Sequence, residues 1–191
     1  EVGRMVGFDN IEACLPYGHI APPPRDQRLN QIRDALQEAG ALELIPLCLV
    51  SPDLLQRSGF DPAQAYAIEN PIGEENSLMQ MSVLPRLLEQ AEEQLRHTSN
   101  DLLTFHVGHV FGQKQDEHNE LGILLSAKKD QPGKHDPFLR LKAILTRACG
   151  DAGFAITVQP VETAADYMHP GRVADTVVND QIVGQIFEVH P

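Results

Sequence analysis

Tryptophan is absent and aromatic residues make up only 5% of the chain, so any core must be mainly aliphatic. Cysteine is scarce: Cys14, Cys48 and Cys149 are odd in number, far apart and form no CxxC pair. That argues against a disulfide scaffold or a zinc cage and fits free thiols in a reducing compartment. The longest apolar run, Ala41 to Val50, is broken by Glu43 and Pro46, well short of the roughly 20 residues a membrane helix needs. Positive charge is also short, with 15 Lys and Arg against 27 Asp and Glu, giving a formal net charge of -12. Such a field repels polyanions and leaves room only for local contacts to nucleic acid. No GxSxG elbow, Walker loop or strand-borne GxGxxG is present, which removes the usual acyl-transfer and nucleotide-binding signatures. There is no signal-peptide pattern; Glu1-Val2-Gly3-Arg4 leads straight into mixed sequence, as expected of a piece of a longer chain.

What is present is ordinary for a globular protein: 42% hydrophobic and 22% charged residues in a chain of 191. A domain of that length buries roughly 70% of its unfolded surface. Residues 1–24 read as the end of a preceding domain and a linker arm, because Gly7, Pro16, Gly18 and Pro22-Pro23-Pro24 disfavour helix. Residues 25–191 read as one α+β core domain. Leu29, Ile32, Leu36 and Ala39 recur at helical spacing and Gly40 marks a stop. Leu44 to Val50 reads as a strand, followed by a short helix opened by Ser51 and Pro52 and running through Arg57. Strands are expected over Ala65 to Asn70 and Ser77 to Met81. Leu84, Leu87, Leu88, Ala91 and Leu95 mark a long helix ending near Thr98. Leu102 to Phe111 and Leu121 to Ala127 read as an antiparallel pair joined by a loop over Gly112 to Glu120. Asp136 and Pro137 open a helix ending between Gly150 and Gly153. Strands at Phe154 to Gln159, Val173 to Val178 and Ile182 to Val189 complete the chain, the last two joined by an Asn179-Asp180 turn.

Candidate chemistry is sparse. His106 and His109, three apart on a strand, point to opposite faces and do not form a metal pair. Asp136, beside His135, already has a capping role. Glu74-Glu75 lies in a polar loop and Glu92-Glu93 on the wet face of a helix, so solvated charge is the expected reading for both. His169-Pro170-Gly171-Arg172 offers two readings: a turn before a strand, or an anion-binding turn with Arg172 as the grip.

Whole segments carry a family resemblance. Glu1-Val2-Gly3-Arg4-Met5-Val6-Gly7-Phe8-Asp9-Asn10-Ile11 resembles the "EVAR-hydrophobic-GYDNI" passage of the bacterial phenylalanyl-tRNA synthetase β subunit. Asn70-Pro71-Ile72-Gly73-Glu74-Glu75 through Ser82-Val83-Leu84-Pro85-Arg86-Leu87-Leu88 resembles its "NPLSEE…R-T-S-LLPGLL". Phe105-His106-Val107-Gly108-His109-Val110-Phe111 is similar to "FEIGRVF". His169-Pro170-Gly171-Arg172-Val173-Ala174, with Gly184-Gln185-Ile186-Phe187-Glu188-Val189-His190-Pro191, is similar to "HPGRSA…G-x-IGELHP". These ordered matches span essentially the whole chain.

The resemblance implies a class II synthetase-like module, a largely antiparallel sheet flanked by helices, that copies the catalytic fold of the α subunit without its active site. It implies packing against α in an α2β2 cytoplasmic ligase that charges tRNA(Phe) using ATP and magnesium. A class II catalytic core needs an arginine for the ATP α-phosphate on its motif-two strand, and the comparable segment, Leu102 to Phe111, has none. His109, where the family usually has Arg, lacks the fixed charge and bidentate geometry. No catalytic residue and no cofactor-binding residue is therefore expected in this chain. Pro71 looks like the proline of motif one, a segment used in subunit packing, though a strand terminator reads equally from the residue alone. The pattern's usual Arg is missing between Met79 and Met81, and Arg86 replaces Gly. Glu1 matches the last carboxylate of a magnesium site shared with α, yet one carboxylate does not hold an octahedral cation. The rival readings are a stand-alone class II-like adenylating enzyme, which the missing arginine disfavours, and an RNA-binding module, which the charge disfavours.

Overall fold

Capping chemistry fixes where the helices begin and end. In the computed structural model, which describes residues 1–15, 17–18, 26–97, 101–112, 116–127, 136–161 and 164–189, helix α1 spans Val2–Val6 and α2 spans Arg28–Glu38. Gly40 takes φ 86°, and the N–H groups of Gly40 and Ala41 reach back to the carbonyls of Gln37 and Leu36, closing α2 with a Schellman motif. Helix α3, Pro52–Arg57, starts where Ser51 Oγ accepts from the Leu54 N–H at 3.0 Å. Helix α4 covers Leu84–His97, and α5, Pro137–Asp151, starts on Asp136, whose carboxylate accepts from the Phe138 N–H at 2.9 Å. The expected linker prolines at 16 and 22–24, the helix end at Thr98, and His135, His190 and Pro191 lie outside the described residues.

Among the described residues the strands form three sheets: β1 (Leu42–Glu43), β4 (Leu102–Gly112) and β5 (Asp116–Ser126) in the order β1-β4-β5; β2 (Leu49–Val50) with β3 (Leu78–Met79); and β6 (Thr157–Pro160), β7 (Met168–Val178) and β8 (Gln181–Val189). Every pairing is antiparallel except β1 with β4, so the mainly antiparallel expectation survives with one parallel edge.

Four local expectations are corrected. Of the strand expected over Leu44 to Val50 only Leu49–Val50 is strand, as β2; β1 lies just before that range, and Pro46, which has no N–H to donate, sits between the two. Ala65 to Asn70 pairs as a single bridge, Ala67 with Leu78, and is preceded by a 3-10 turn at Pro62–Gln64. The loop expected over Gly112 to Glu120 is mostly strand, because β5 pairs with β4 residue by residue from Leu102–Ser126 out to Gly112–Asp116. Polar residues there extend the hairpin where the backbone ladder, rather than burial, holds it. His169 to Arg172 is neither a free turn nor regular strand; it is the irregular start of β7, where the register with β8 shifts between Met168 and Val173. Asn179 and Asp180 both take positive φ, 51° and 63°, as the tight β7–β8 hairpin requires.

The β4–β5 hairpin is covered on both faces, which explains why its sequence shows no clean alternation. Leu103 and Phe105 of β4 join Ala35 and Leu36 of α2 and Ala148 of α5 in the main core. The opposite face, with His106 and Gly108 on β4 and Gly122 on β5, meets Gln80, Val83 and Leu87. A second core of Val50, Leu54, Leu55 and Leu78 sits under α3.

Candidate functional site

The resemblance directs attention to the β4–β5 hairpin, and there the structure shows packing. A methyl built on Gly122 would lie 2.7 Å from Val83 Cγ2 and 3.1 Å from Leu87 Cδ2; one on Gly108 would lie 2.9 Å from Val83 Cγ1. Two glycines thus let Val83 seat directly on the sheet, and the hairpin face is filled by aliphatic side chains. His109 is half exposed on the other face, with its Nε2 2.9 Å from Glu117 Oε1 on the paired strand. His106 is buried on the filled face, so the two histidines occupy opposite faces of β4 as their spacing predicts. Among the described residues no group of three or more His, Cys, Asp or Glu side chains is placed to hold a metal ion.

Sequence reasoning did not anticipate the region around Arg86. The segment Leu44 to Cys48 is held at both ends. At Leu44 the backbone N–H donates to the Phe105 carbonyl at 2.8 Å and the carbonyl lies 2.9 Å from His106 Nδ1. At Cys48 the carbonyl accepts from the Gln80 N–H at 2.9 Å. Between these anchors Ile45 is 88% exposed and Leu47 64% exposed. They rim a cleft of about 360 Å³ whose other walls include Glu75, Asn76, Arg86 and Gln90.

Arg86 organises the floor of this cleft. Its side chain is only 14% exposed. Its Nε donates to the Leu49 carbonyl at 2.9 Å, and one terminal nitrogen donates to the same carbonyl, to Asn76 Oδ1 at 3.1 Å and to the Glu75 carbonyl at 3.4 Å. The other terminal nitrogen pairs with Glu89 at 2.6 Å. A planar five-donor guanidinium is the side chain that can tie a strand, a turn and a helix together from one point. Its signal in the sequence was the departure from Gly, which showed a difference without showing its partners.

The remaining predicted residues scatter. Pro71 is exposed on the loop after the Ala67 bridge, next to the fully exposed Ile72. Arg172 places one guanidinium nitrogen 2.8 Å from Asp136 and 3.2 Å from Glu188, so two carboxylates use its charge and the cluster is net negative, a poor anion grip. Arg172 in turn holds the Asp136 carboxyl below the usual carboxylate range. Glu1 is exposed and ion-paired with Arg4 at 3.3 Å. Glu92 and Glu93 pair with Arg96 on the outer face of α4, as solvated charge does. Among the described residues no helix is long and apolar enough to cross a membrane.

Comparison with solved structures defines the class. The chain is similar to pyrrolysyl-tRNA synthetases of Desulfitobacterium hafniense, in two structures with TM-scores of 0.61 and 0.60 at 14% identity, covering 82% of this chain and 55% and 56% of theirs. That likeness shows the fold: mixed helices and antiparallel sheets of the class II tRNA synthetase kind. Residues 11–191 match the family described as phenylalanyl tRNA synthetase beta chain CLM domain, and the chain belongs to that family. It is similar over its whole length to proteins named phenylalanine–tRNA ligase beta subunit, at 29% identity in Solibacter usitatus, 28% in Syntrophotalea carbinolica and 26% in Geobacillus kaustophilus. The chain spans about a quarter of the length of these relatives, 25%, 26% and 25% respectively.

Proposed function

We propose that this chain is a non-catalytic heteromerisation domain of a phenylalanine–tRNA ligase β subunit, and that it positions a partner α subunit within an α2β2 cytoplasmic enzyme. On this reading the complex charges tRNA(Phe) with phenylalanine, using ATP and magnesium bound elsewhere. Glu1 would contribute to that magnesium site only together with carboxylates from outside this chain, since a hard octahedral cation needs several oxygen ligands. Any contact to tRNA would come from local loops, given the net charge of -12.

The observation that supports the reading is the filled β4–β5 face, on which Val83 and Leu87 pack directly, together with a β4 that carries no arginine. The Ile45–Leu47 rim, together with Ile72 beside Pro71, supplies exposed apolar surface of the kind that marks a protein contact. Burying one such aliphatic side chain contributes about 1.5–3 kcal/mol.

The test is to mix the chain with the α subunit and follow the mixture by size-exclusion chromatography with light scattering. Co-elution is expected, and the double substitution Ile45→Asp with Leu47→Asp should weaken it roughly 100-fold, about 3 kcal/mol, without changing the circular dichroism spectrum. A monodisperse monomer that turns over ATP alone would overturn the non-catalytic reading. Co-elution unaffected by the double substitution would remove the rim from the interface.

A further inference from the structure

The strip between β1 and β2 is free along its length and pinned at its ends. Among the described residues no backbone hydrogen bond joins Ile45, Pro46 or Leu47 to the rest of the chain. Downstream, the Cys48 carbonyl accepts from the Gln80 N–H at 2.9 Å and the Leu49 carbonyl accepts from Arg86 Nε at 2.9 Å. Upstream, both backbone groups of Leu44 are bonded: its N–H donates to the Phe105 carbonyl at 2.8 Å, and its carbonyl lies 2.9 Å from His106 Nδ1. A carbonyl only accepts, so Nδ1 carries the proton. His106 is 5% exposed, and burial favours a neutral ring with a single N–H to place.

That N–H has one use. Leu44 is the polar partner of the imidazole among the described residues, and the ring otherwise sits on the face where Val83 packs. An aliphatic side chain would fill such a site without the cost of burying a polar ring. What the imidazole adds is a donor aimed at one backbone oxygen 62 residues away in sequence. Beyond that oxygen Pro46 stiffens the strip, fixing its own φ and restricting Ile45, so the direction set at Leu44 is carried to the exposed side chains. We propose that His106 is a positioning residue: its Nδ1–H clamps the Leu44 carbonyl and holds the strip in the form that presents Ile45 and Leu47 for docking. The proposal rests on the reading of this rim as the α-subunit contact, and adds that the contact is preorganised from inside the sheet.

The test compares His106→Leu, which keeps bulk and loses the donor, with His106→Asn, which loses bulk and keeps a donor at the Nδ1 position. A packing role ranks Leu above Asn in both stability and docking; a positioning role ranks Asn above Leu in docking, whatever the order of their stabilities in urea. Affinity for the α subunit is expected to fall roughly tenfold in His106→Leu, the ordering cost of about one residue, and to stay within about twofold of wild type in His106→Asn. Backbone ¹⁵N order parameters of Ile45 and Leu47 in the chain alone are expected near the rigid value of about 0.85 in the wild type and His106→Asn, and below about 0.6 in His106→Leu. Unchanged order in folded His106→Leu, or weaker docking in Asn than in Leu, would overturn the proposal. If His106→Leu fails to fold, the imidazole ¹⁵N shifts of the wild type decide: a protonated Nδ1 is expected, and a ring protonated at Nε2 alone would overturn it. A wild-type chain that does not bind α overturns the docking reading instead, and the order parameters still decide the role of His106.

Discussion

Substituting Gly122 by alanine puts one methyl where Val83 already sits. The added carbon would lie 2.7 Å from Val83 Cγ2, with Leu87 Cδ2 at 3.1 Å behind it, and Val83 is 1% exposed with no room to swing aside. Overpacking of this kind costs about 1–3 kcal/mol. Val83→Ala alone removes two buried carbons, worth about 0.8 kcal/mol each, and leaves a void, for a loss of about 2–3 kcal/mol. In the double variant the new methyl occupies part of the space that Val83 vacates, so the two costs should not add. A favourable coupling of about 1–2 kcal/mol is expected from a double-mutant cycle measured by urea denaturation with unchanged m-values. Strict additivity would refute the claim that these glycines exist to seat Val83 on the sheet, and would reopen the question of how that face is closed.

Arg86→Ala removes every bond that joins α4 to the Leu49 carbonyl and the 74–76 turn, and should cost about 2–4 kcal/mol by the same denaturation assay, since charge-assisted bonds contribute about 1.5–3 kcal/mol each and the site is partly open. His106 is held below its ordinary pKa of 6.5, chiefly by burial, with the Leu44 carbonyl and Glu43 and Glu120 opposing and Arg33 reinforcing the shift. The unfolded chain therefore takes up the proton first, so stability should fall as pH drops through about 6.5 toward the lower folded value, and His106→Gln should flatten that slope in pH-dependent denaturation. Arg172→Gln should let the Asp136 carboxyl rise toward its ordinary 3.8, read directly by carboxyl NMR titration. The stability that Asp136 contributes above that pH, lost on acidification through its depressed folded pKa, should shrink with it.

Helix boundaries were legible because one residue decides each. Ser51, Asp136 and Gly40 act through bonds within a single turn, and the chain need not know its tertiary surroundings for them to work. The short strands β1, β2 and β3 were not legible with the same precision, since their extents depend on distant partners: β1 on β4, and β2 on β3. The Arg86 cleft was hidden for the same reason. The guanidinium's acceptors come from positions 49, 75 and 76, and nothing in the local sequence around Arg86 names them.

Two departures from the family pattern, in separate motifs, meet in the fold. Gln80 stands where "R-T-S-LLPGLL" has its arginine, and His106 stands where "FEIGRVF" has its glutamate. The structure faces them across Gly108, both sealed from solvent. At such a site a lone arginine or a lone glutamate would be an uncompensated buried charge, costing about 3–5 kcal/mol. Here both positions carry uncharged side chains, and both are buried. His109, in contrast, replaces an arginine at a half-exposed position beside Glu117, where solvent screens the change and no partner need follow. Read along the chain, the loss of Arg at position 80 and at position 109 look alike. Burial separates them: Gln80 lies on the covered face of the sheet, and His109 is a surface substitution.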